Sequence, residues 1–223
     1  MMDFAQARAN MIESQVRTNG VTDPRVIATM ALVPREIFVP VARRALAYMD
    51  EDVEIHTAST EGPARYLIEP MTFARLAHLL GLEPTDEVLD VGCATGYSTA
   101  VLARIAARVT GLEANAELAA EARANLGRLG IGNAEIVVGE HAAGIGGRTF
   151  DAVLVNGRIP EEPGRLVASL KDGGRLAAVI GERDVGKAVL HTRAGPAISV
   201  RAAYDASVAP LPGFPVSRPA FVF

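Results

Sequence analysis

Cys93 is the single cysteine of this 223-residue chain, so no disulfide can close within it and no thiolate cluster can hold a metal. The histidines, His56, His78, His141 and His191, lie far apart and form neither an H-x-x-x-H nor an H-x-E pair, so no metal centre is expected. Positive charge is not gathered anywhere. With 22 Lys and Arg against 26 Asp and Glu, the formal net charge is −4, which argues against coating nucleic acid or an anionic membrane. No apolar run reaches the roughly 18–20 residues of a membrane span, and the opening "MMDFAQARANMIESQ" lacks a basic segment followed by an apolar one. A cytoplasmic protein is expected. What the chain does have is apolar content: 49% hydrophobic residues are ample for one buried α/β core with an appended element.

Up to about residue 48 the pattern is helical with turns between. "QARANMIESQVRTNG" stops at Gly20, "TDPRVIATMALVP" restarts with Asp23 as N-cap and Pro24 in the first turn, and "VARRALAYM" makes a third helical pattern. "DEDVEIHTASTEGPARY" is acidic, small and turn-rich without period, and reads as a solvated loop that includes the run Asp50, Glu51 and Asp52. From Pro70 strands and helices alternate. "PMTFARLAHLLGL" reads as a helix, "EVLDVG" a strand, "YSTAVLARIAA" a helix, "RVTGLE" a strand, "NAELAAEARANLGRLG" a helix and "AEIVVGE" a strand. "FDAVLVN" follows as a strand, "PGRLVASL" as a helix and "GRLAAVIG" as a strand. Several of these strands are continuous apolar runs, which predicts a doubly wound, mostly parallel sheet covered on both faces. "AISVRAAYDASVAPL" and "PAFVF" look like two late strands, one of them antiparallel because no helical pattern joins them.

In such a sheet ligands sit beyond the carboxyl ends of the strands, which places the turn in "VLDVGCATGYST" at the expected site. Its glycines, Gly92 and Gly96, are not followed by lysine, so it is not a phosphate-binding loop of the G-x-x-x-x-G-K type. Ala94 stands where a dinucleotide fingerprint has its second glycine, and its methyl would crowd a pyrophosphate. A ligand with an adenosine but no phosphate remains. Glu113, about 20 residues on at the end of the second strand of the unit, can accept from both ribose hydroxyls. Asp90 or backbone carbonyls can meet an ammonium, and N–H groups near Tyr97 and Ser98 a carboxylate. S-adenosylmethionine has these parts.

At these residues the chain resembles the protein-L-isoaspartate O-methyltransferase family, a branch of the class I S-adenosylmethionine-dependent methyltransferases. The resemblance runs from about Met11 to Gly181. It rests on "GVTDPRVIATMALVPREIFVP" with "AYMDED", "VLDVGCATGYSTAVLA", "GLEANAELAAEARANL", "IVVGEHAAGI" and "FDAVLVNGRIPEEPGRLVASLKDGGRLAAVIG". It implies a seven-stranded, Rossmann-like sheet over 66–223 with an N-terminal helical extension and loop over 1–65. It also implies methylation of the free α-carboxyl of L-isoaspartyl residues in damaged proteins, with S-adenosylhomocysteine as coproduct and isoaspartyl proteins or peptides as partners. Cofactor residues carried over are Asp90, Gly92, Cys93, Ala94, Gly96, Tyr97, Ser98, Glu113, Ala114, Glu140 and His141.

The acceptor side departs from that pattern. Where the family has a Thr-Ile-Ser-x-Pro segment, this chain has "YLIEP", so Ile68 replaces the serine and cannot donate a hydrogen bond. Glu140 and His141 replace the second and third residues of a Gly-Asp-Gly, and "NGRIPEEP" replaces a small-residue segment, placing Arg158, Glu161 and Glu162 at the rim. An acceptor carboxylate is already ionised at neutral pH, so positioning suffices and no strong base is required. Tyr66, Ile68 and Asn156 are the positioning candidates; Arg65, Glu69 and Arg158 are the substrate candidates, although Glu69 would repel an anion and suits an amine, hydroxyl or cationic acceptor. Alternatives stand beside several of these roles. Arg65 and Arg158 can be surface cations, Asn156 a helix N-cap, His141 a helix cap or an adenine neighbour, and Cys93 small apolar packing rather than a nucleophile. Two other functions remain open as well: a methyltransferase with another acceptor, and a cofactor-binding protein without catalysis.

Overall fold

The computed structural model describes residues 2–59 and 62–215. Helix α1, Phe4–Met11, is capped by the Asp3 carboxylate and runs on through a wide turn, Ile12–Val16, and a tight one, Arg17–Asn19, before Gly20 ends it in the left-handed region. Asp23 caps α2, Pro24–Leu32, by accepting the Arg25 N–H, with Pro24 in the first turn. The third helical pattern is instead 3₁₀ turn, Val41–Leu46.

The stretch expected as loop holds two strands. β1, Val53–His56, and β2, Arg65–Leu67, pair antiparallel with an irregularity between Glu54 and His56. Asp52 is no solvated acid either: its carboxylate accepts the N–H groups of Glu69 (2.7 Å) and Ala209 (2.5 Å).

After α3, Pro70–Leu80, which Gly81 terminates, the sheet begins. Its strands are β3, Glu87–Val91; β4, Arg108–Glu113; β5, Ala134–Val138; β6, Phe150–Ile159; β7, Leu170–Ile180; β8, Gly186–Ala194; and β9, Ala197–Ala206. They lie in the order β5-β4-β3-β6-β7-β8-β9. β3 to β7 are parallel and β8 runs against both its neighbours. One antiparallel late strand was expected, but it is β8, whose Lys187, His191 and Arg193 interrupt any apolar run; "PAFVF" lies outside the described residues.

The connecting helices are α4, Tyr97–Leu102; α5, Ala116–Arg128, capped by Asn115; and α6, Gly164–Ala168. Alternate residues of the central strands enter different hydrophobic clusters. Val88, Ala152 and Leu154 join the N-terminal helices, α3, α4 and α5, whereas Leu89, Val91, Val153 and Val155 pack with Leu166 and Leu170. Both faces of the sheet are therefore buried, which is why its strands read as unbroken apolar runs. Among the described residues no helix is long and apolar enough to cross a membrane. The chain leaves β3 toward β4 and β5 and later returns to β6 on the other side, so the sheet's switch point lies between β3 and β6.

Gly96 opens α4 at φ +94°, and a Cβ there would lie 3.1 Å from the Ala122 Cβ and 3.2 Å from its Cα in α5. Gly96→Ala should therefore lower stability by about 2 kcal/mol, from backbone strain and crowding together. A wild-type urea midpoint for this variant would refute the close α4–α5 approach.

Candidate functional site

The carboxyl ends of β3, β4 and β6 deliver Asp90, Glu113 and Asn156 to one place, and the turn from Gly92 to Gly96 lies across them. Gly92 (φ +72°) and Ala94 (φ +53°) are both left-handed, Ala94 being the one described non-glycine residue with positive φ. Strain at a non-glycine residue needs a compensating contact. Here it is the Ala94 N–H, which donates to Glu113 Oε2 at 2.9 Å.

Glu113 is fully buried, and Oε1 also accepts the Asn115 N–H at 3.1 Å. Its counter-charge is Arg65 from β2: Nη2 lies 2.6 Å from Oε2 and Nε 3.3 Å from Oε1, and the same Nη2 reaches the Gly92 carbonyl at 3.4 Å. Burial alone would raise the Glu113 pKa, but His141 and the Arg65 guanidinium outweigh it and hold the carboxyl at about 2. His141 bonds at both ring nitrogens. Nε2 takes the Ala114 N–H at 3.1 Å, and Nδ1–H donates to the Pro212 carbonyl at 2.8 Å.

Asp90 shares the burial but has no cation beside it. It accepts from Ser98 Oγ (2.7 Å), Thr99 Oγ1 (2.5 Å) and Asn156 Nδ2 (2.6 Å). Burial raises its pKa to about 6 despite those three bonds. Cys93 is buried in the turn, and burial with the nearby acids Asp90 and Glu113 lifts its thiol well above the usual range, so it packs rather than reacts.

The parts of S-adenosylmethionine all find partners in kind. Glu113 suits a diol, Asp90 an ammonium, and the start of α4 a carboxylate. The space is another matter. The cavity between the turn, Tyr66, Ile68, Phe73, Tyr97, Ser98 and Asn156 has a volume of about 10 Å³, room for roughly one water. Arg65 takes up the place against Glu113, and Leu211 covers Gly92 so closely that a Cβ there would fall 2.6 Å from its Cδ1. The donor set fits the cofactor; the packing is closed over it.

Comparison with known proteins gives the family. The profile of the family "Protein-L-isoaspartate(D-aspartate) O-methyltransferase" matches residues 6–212. The chain belongs to this family. It is 36% identical over 213 residues to a protein-L-isoaspartate O-methyltransferase of Roseiflexus castenholzii, covering 95% of this chain and 94% of that one. Against the corresponding protein of Koribacter versatilis it is 37% identical over 183 residues, 82% and 80% of the two chains. Among solved structures, a protein-L-isoaspartate O-methyltransferase superposes with a TM-score of 0.79 at 23% identity, over 92% of this chain; the chain spans 66% of that protein's length. A Plasmodium falciparum protein assigned to the same activity, solved with S-adenosyl-L-homocysteine, gives 0.74 at 23%, over 95% and 99%. At that identity both show the fold, which is the class I methyltransferase sheet.

Several of the candidate residues are placed differently from what the sequence suggested. Arg65, expected at the acceptor's carboxylate or on the surface, is buried against Glu113. Arg158, expected in a rim loop, lies within β6 and donates from Nη1 to the Gly181 carbonyl at 2.9 Å. Asn156 is no helix cap; it sits inside β6 and also donates to the Val91 carbonyl at 3.1 Å. His141 does not cap the turn that follows, whose N-cap, Glu140, is exposed and makes no side-chain cap bond. Glu69 is half-buried and accepts from Thr72 Oγ1. Tyr66 and Ile68 line the small cavity as a half-buried ring and a buried aliphatic chain. Sequence reasoning missed Asp52 and Arg35, and for neither was there a local signal, because their partners lie 12 to 157 residues away.

Breaking the buried pair from either side should have unequal cost. Glu113→Gln leaves Arg65 buried without a counter-charge and should lose about 3–5 kcal/mol; Arg65→Met leaves Glu113 its two backbone N–H donors and should lose less. Because the folded pKa of Glu113 is depressed, its stabilisation is complete above the unfolded value near 4.5 and disappears as pH falls toward 2. Urea titrations between pH 5 and 2 should show this acid slope in the wild type and a flatter one in Glu113→Gln.

Proposed function

We propose that this chain is an S-adenosylmethionine-dependent carboxyl methyltransferase acting on L-isoaspartyl residues of damaged proteins. The observation that carries the reading is the family match over residues 6–212, which spans both the N-terminal helices and the glycine turn. When bound, S-adenosylmethionine supplies an electrophilic methyl on a sulfonium. In this proposal Glu113 grips the ribose, Asp90 faces the amino group, and residues 66–223 carry the donor while 1–65 help cover it. An acceptor carboxylate arrives ionised, so the chain needs no base; its contribution is alignment and exclusion of water. Ile68 and Phe73 keep the acceptor side apolar, which supports the second of those roles.

Two measurements test the reading. Purified protein with labelled donor should methylate an isoaspartyl peptide and leave its aspartyl twin unlabelled; equal labelling of the two would remove the substrate assignment. Donor binding requires Arg65 to leave Glu113, so Arg65→Ala should bind S-adenosylhomocysteine roughly tenfold more tightly than wild type in calorimetry, no buried ion pair having to be broken first. Weaker binding by that variant would mean the guanidinium is part of the ligand site, not an obstacle to it.

A pH profile follows from Asp90. It must be ionised to meet an ammonium, and with a pKa raised to about 6 it is protonated below that value. Affinity for S-adenosylhomocysteine should therefore rise as pH climbs through 6 and level off above it. Asp90→Asn should bind weakly with no such rise.

A further inference from the structure

Arg35, in the short turn Arg35–Phe38 that follows Pro34, is wholly buried. Two of its three nitrogens have fixed duties: Nε donates to the Ala47 carbonyl at 2.7 Å and Nη2 to the Ile68 carbonyl at 2.6 Å. Its guanidinium carbon lies 4.8 Å from the centre of the Tyr97 ring. Nη1 has no hydrogen-bond partner, and among the described residues no carboxylate comes within ion-pairing distance of this side chain. Two acids bear on it electrostatically from a distance: Asp52, which already accepts two backbone N–H groups, and Glu69, which accepts from Thr72 Oγ1. A buried cation without a counter-ion is costly, and an unused donor on it adds to that cost.

Tyr97 is in the same condition. It is buried, and its hydroxyl lies beside the Arg35 guanidinium, too poorly aligned for a regular hydrogen bond and with no other partner among the described residues. Both side chains line the small cavity bounded by Ile68, Gly92, Ser98 and Asn156, whose lining includes no acid. One unpaired guanidinium N–H and one unpaired phenol O–H make a donor pair with net positive charge, suited to a group with two oxygens and a single negative charge.

We infer that Arg35 and Tyr97 form a carboxylate-binding site beside the glycine turn. The inference rests on the carboxyl-methylation reading, which brings two carboxylates to this place: that of the donor's amino-acid end and the α-carboxyl of the acceptor. Either has the required chemistry. Arg35 also holds the Ile68 carbonyl, so the cation is fixed to the segment in which the family's serine has been replaced by an aliphatic residue, and it restores a donor that Ile68 cannot provide.

Calorimetry on the full chain with four probes tests this and separates the sources. The probes are S-adenosylhomocysteine, methylthioadenosine (the same nucleoside thioether without the amino acid), an isoaspartyl peptide in the presence of S-adenosylhomocysteine, and that peptide with its α-carboxyl converted to the amide. Tyr97→Phe removes a hydroxyl whose one polar neighbour is the Arg35 guanidinium and should melt close to wild type; Arg35→Lys keeps the charge but loses the fork. Each variant should weaken a seated carboxylate by about tenfold. Loss confined to S-adenosylhomocysteine, with methylthioadenosine unchanged, assigns the site to the donor; loss confined to the acid peptide, with the amide unchanged, assigns it to the acceptor. Folded variants that bind all four probes like wild type, or that weaken carboxylate and carboxylate-free probes alike, overturn the proposal, as does a wild-type chain that binds neither carboxylate. If wild type treats the two peptides alike, the isoaspartyl reading fails while the two thioethers still decide the role of Arg35.

Discussion

Glu113 keeps a full negative charge where there is no water, and separate stretches of chain converge to hold it there. Arg65 comes from the hairpin, the Ala94 N–H from the glycine turn and the Asn115 N–H from the cap of α5, while the His141 ring stands 3.5 Å away. The left-handed Ala94 makes sense only with this carboxylate, since its N–H would otherwise have no reason to turn inward at the expense of backbone strain. The C-terminal segment is tied to the same cluster through His141 and the Pro212 carbonyl. One acid thus sets the shape of the turn, the position of the hairpin and the path of residues near 212.

Asp90, one strand away, is the counterpoint. Both acids are buried, but Glu113 is given a guanidinium and Asp90 only neutral donors, so one pKa falls to about 2 and the other rises to about 6. Two carboxylates on neighbouring strands therefore differ in charge near neutrality. Glu113 stays charged under any physiological condition and contributes to stability; Asp90 titrates within reach of physiological pH and costs stability when ionised without a cation. An ammonium placed beside it would relieve that cost, for the three hydrogen-bond donors around Asp90 carry no charge.

The parts of this arrangement legible in the sequence are those specified within a few residues. Asp23 and Pro24, Asn115 and Gly81 mark helix ends by local chemistry, and β3, β4 and β6 stand out because both their faces are buried. The turn and Glu113 were legible because strand, glycine spacing and acid recur at fixed separations. The hairpin was not, for its strands have only four and three residues and sit among acids, Gly62 and Pro63. β8 was hidden by its polar residues, which an antiparallel strand near a sheet edge tolerates. The pairing of Arg65 with Glu113 was not legible for a different reason. Its partner is 48 residues away, and nothing local distinguishes an arginine bound for a substrate from one bound for a buried acid.

The two parts of the cover over the turn are anchored differently. Residues near 209 to 211 are joined to β6 by reciprocal backbone bonds, Arg158 N–H to the Ala209 carbonyl and Leu211 N–H to the Arg158 carbonyl, and Asp52 takes the Ala209 N–H besides. Leu211 is therefore carried on what amounts to an extension of the main sheet, and its side chain can turn while its backbone stays. Arg65 stands on a three-residue strand whose ladder partner is the four-residue β1, and β1 is itself irregular between Glu54 and His56. A two-stranded hairpin of that size is marginal by itself; Val53, Ile55 and Leu67 bury it in the core, Arg43 pairs with Glu54, and Arg65 adds its ion pair with Glu113.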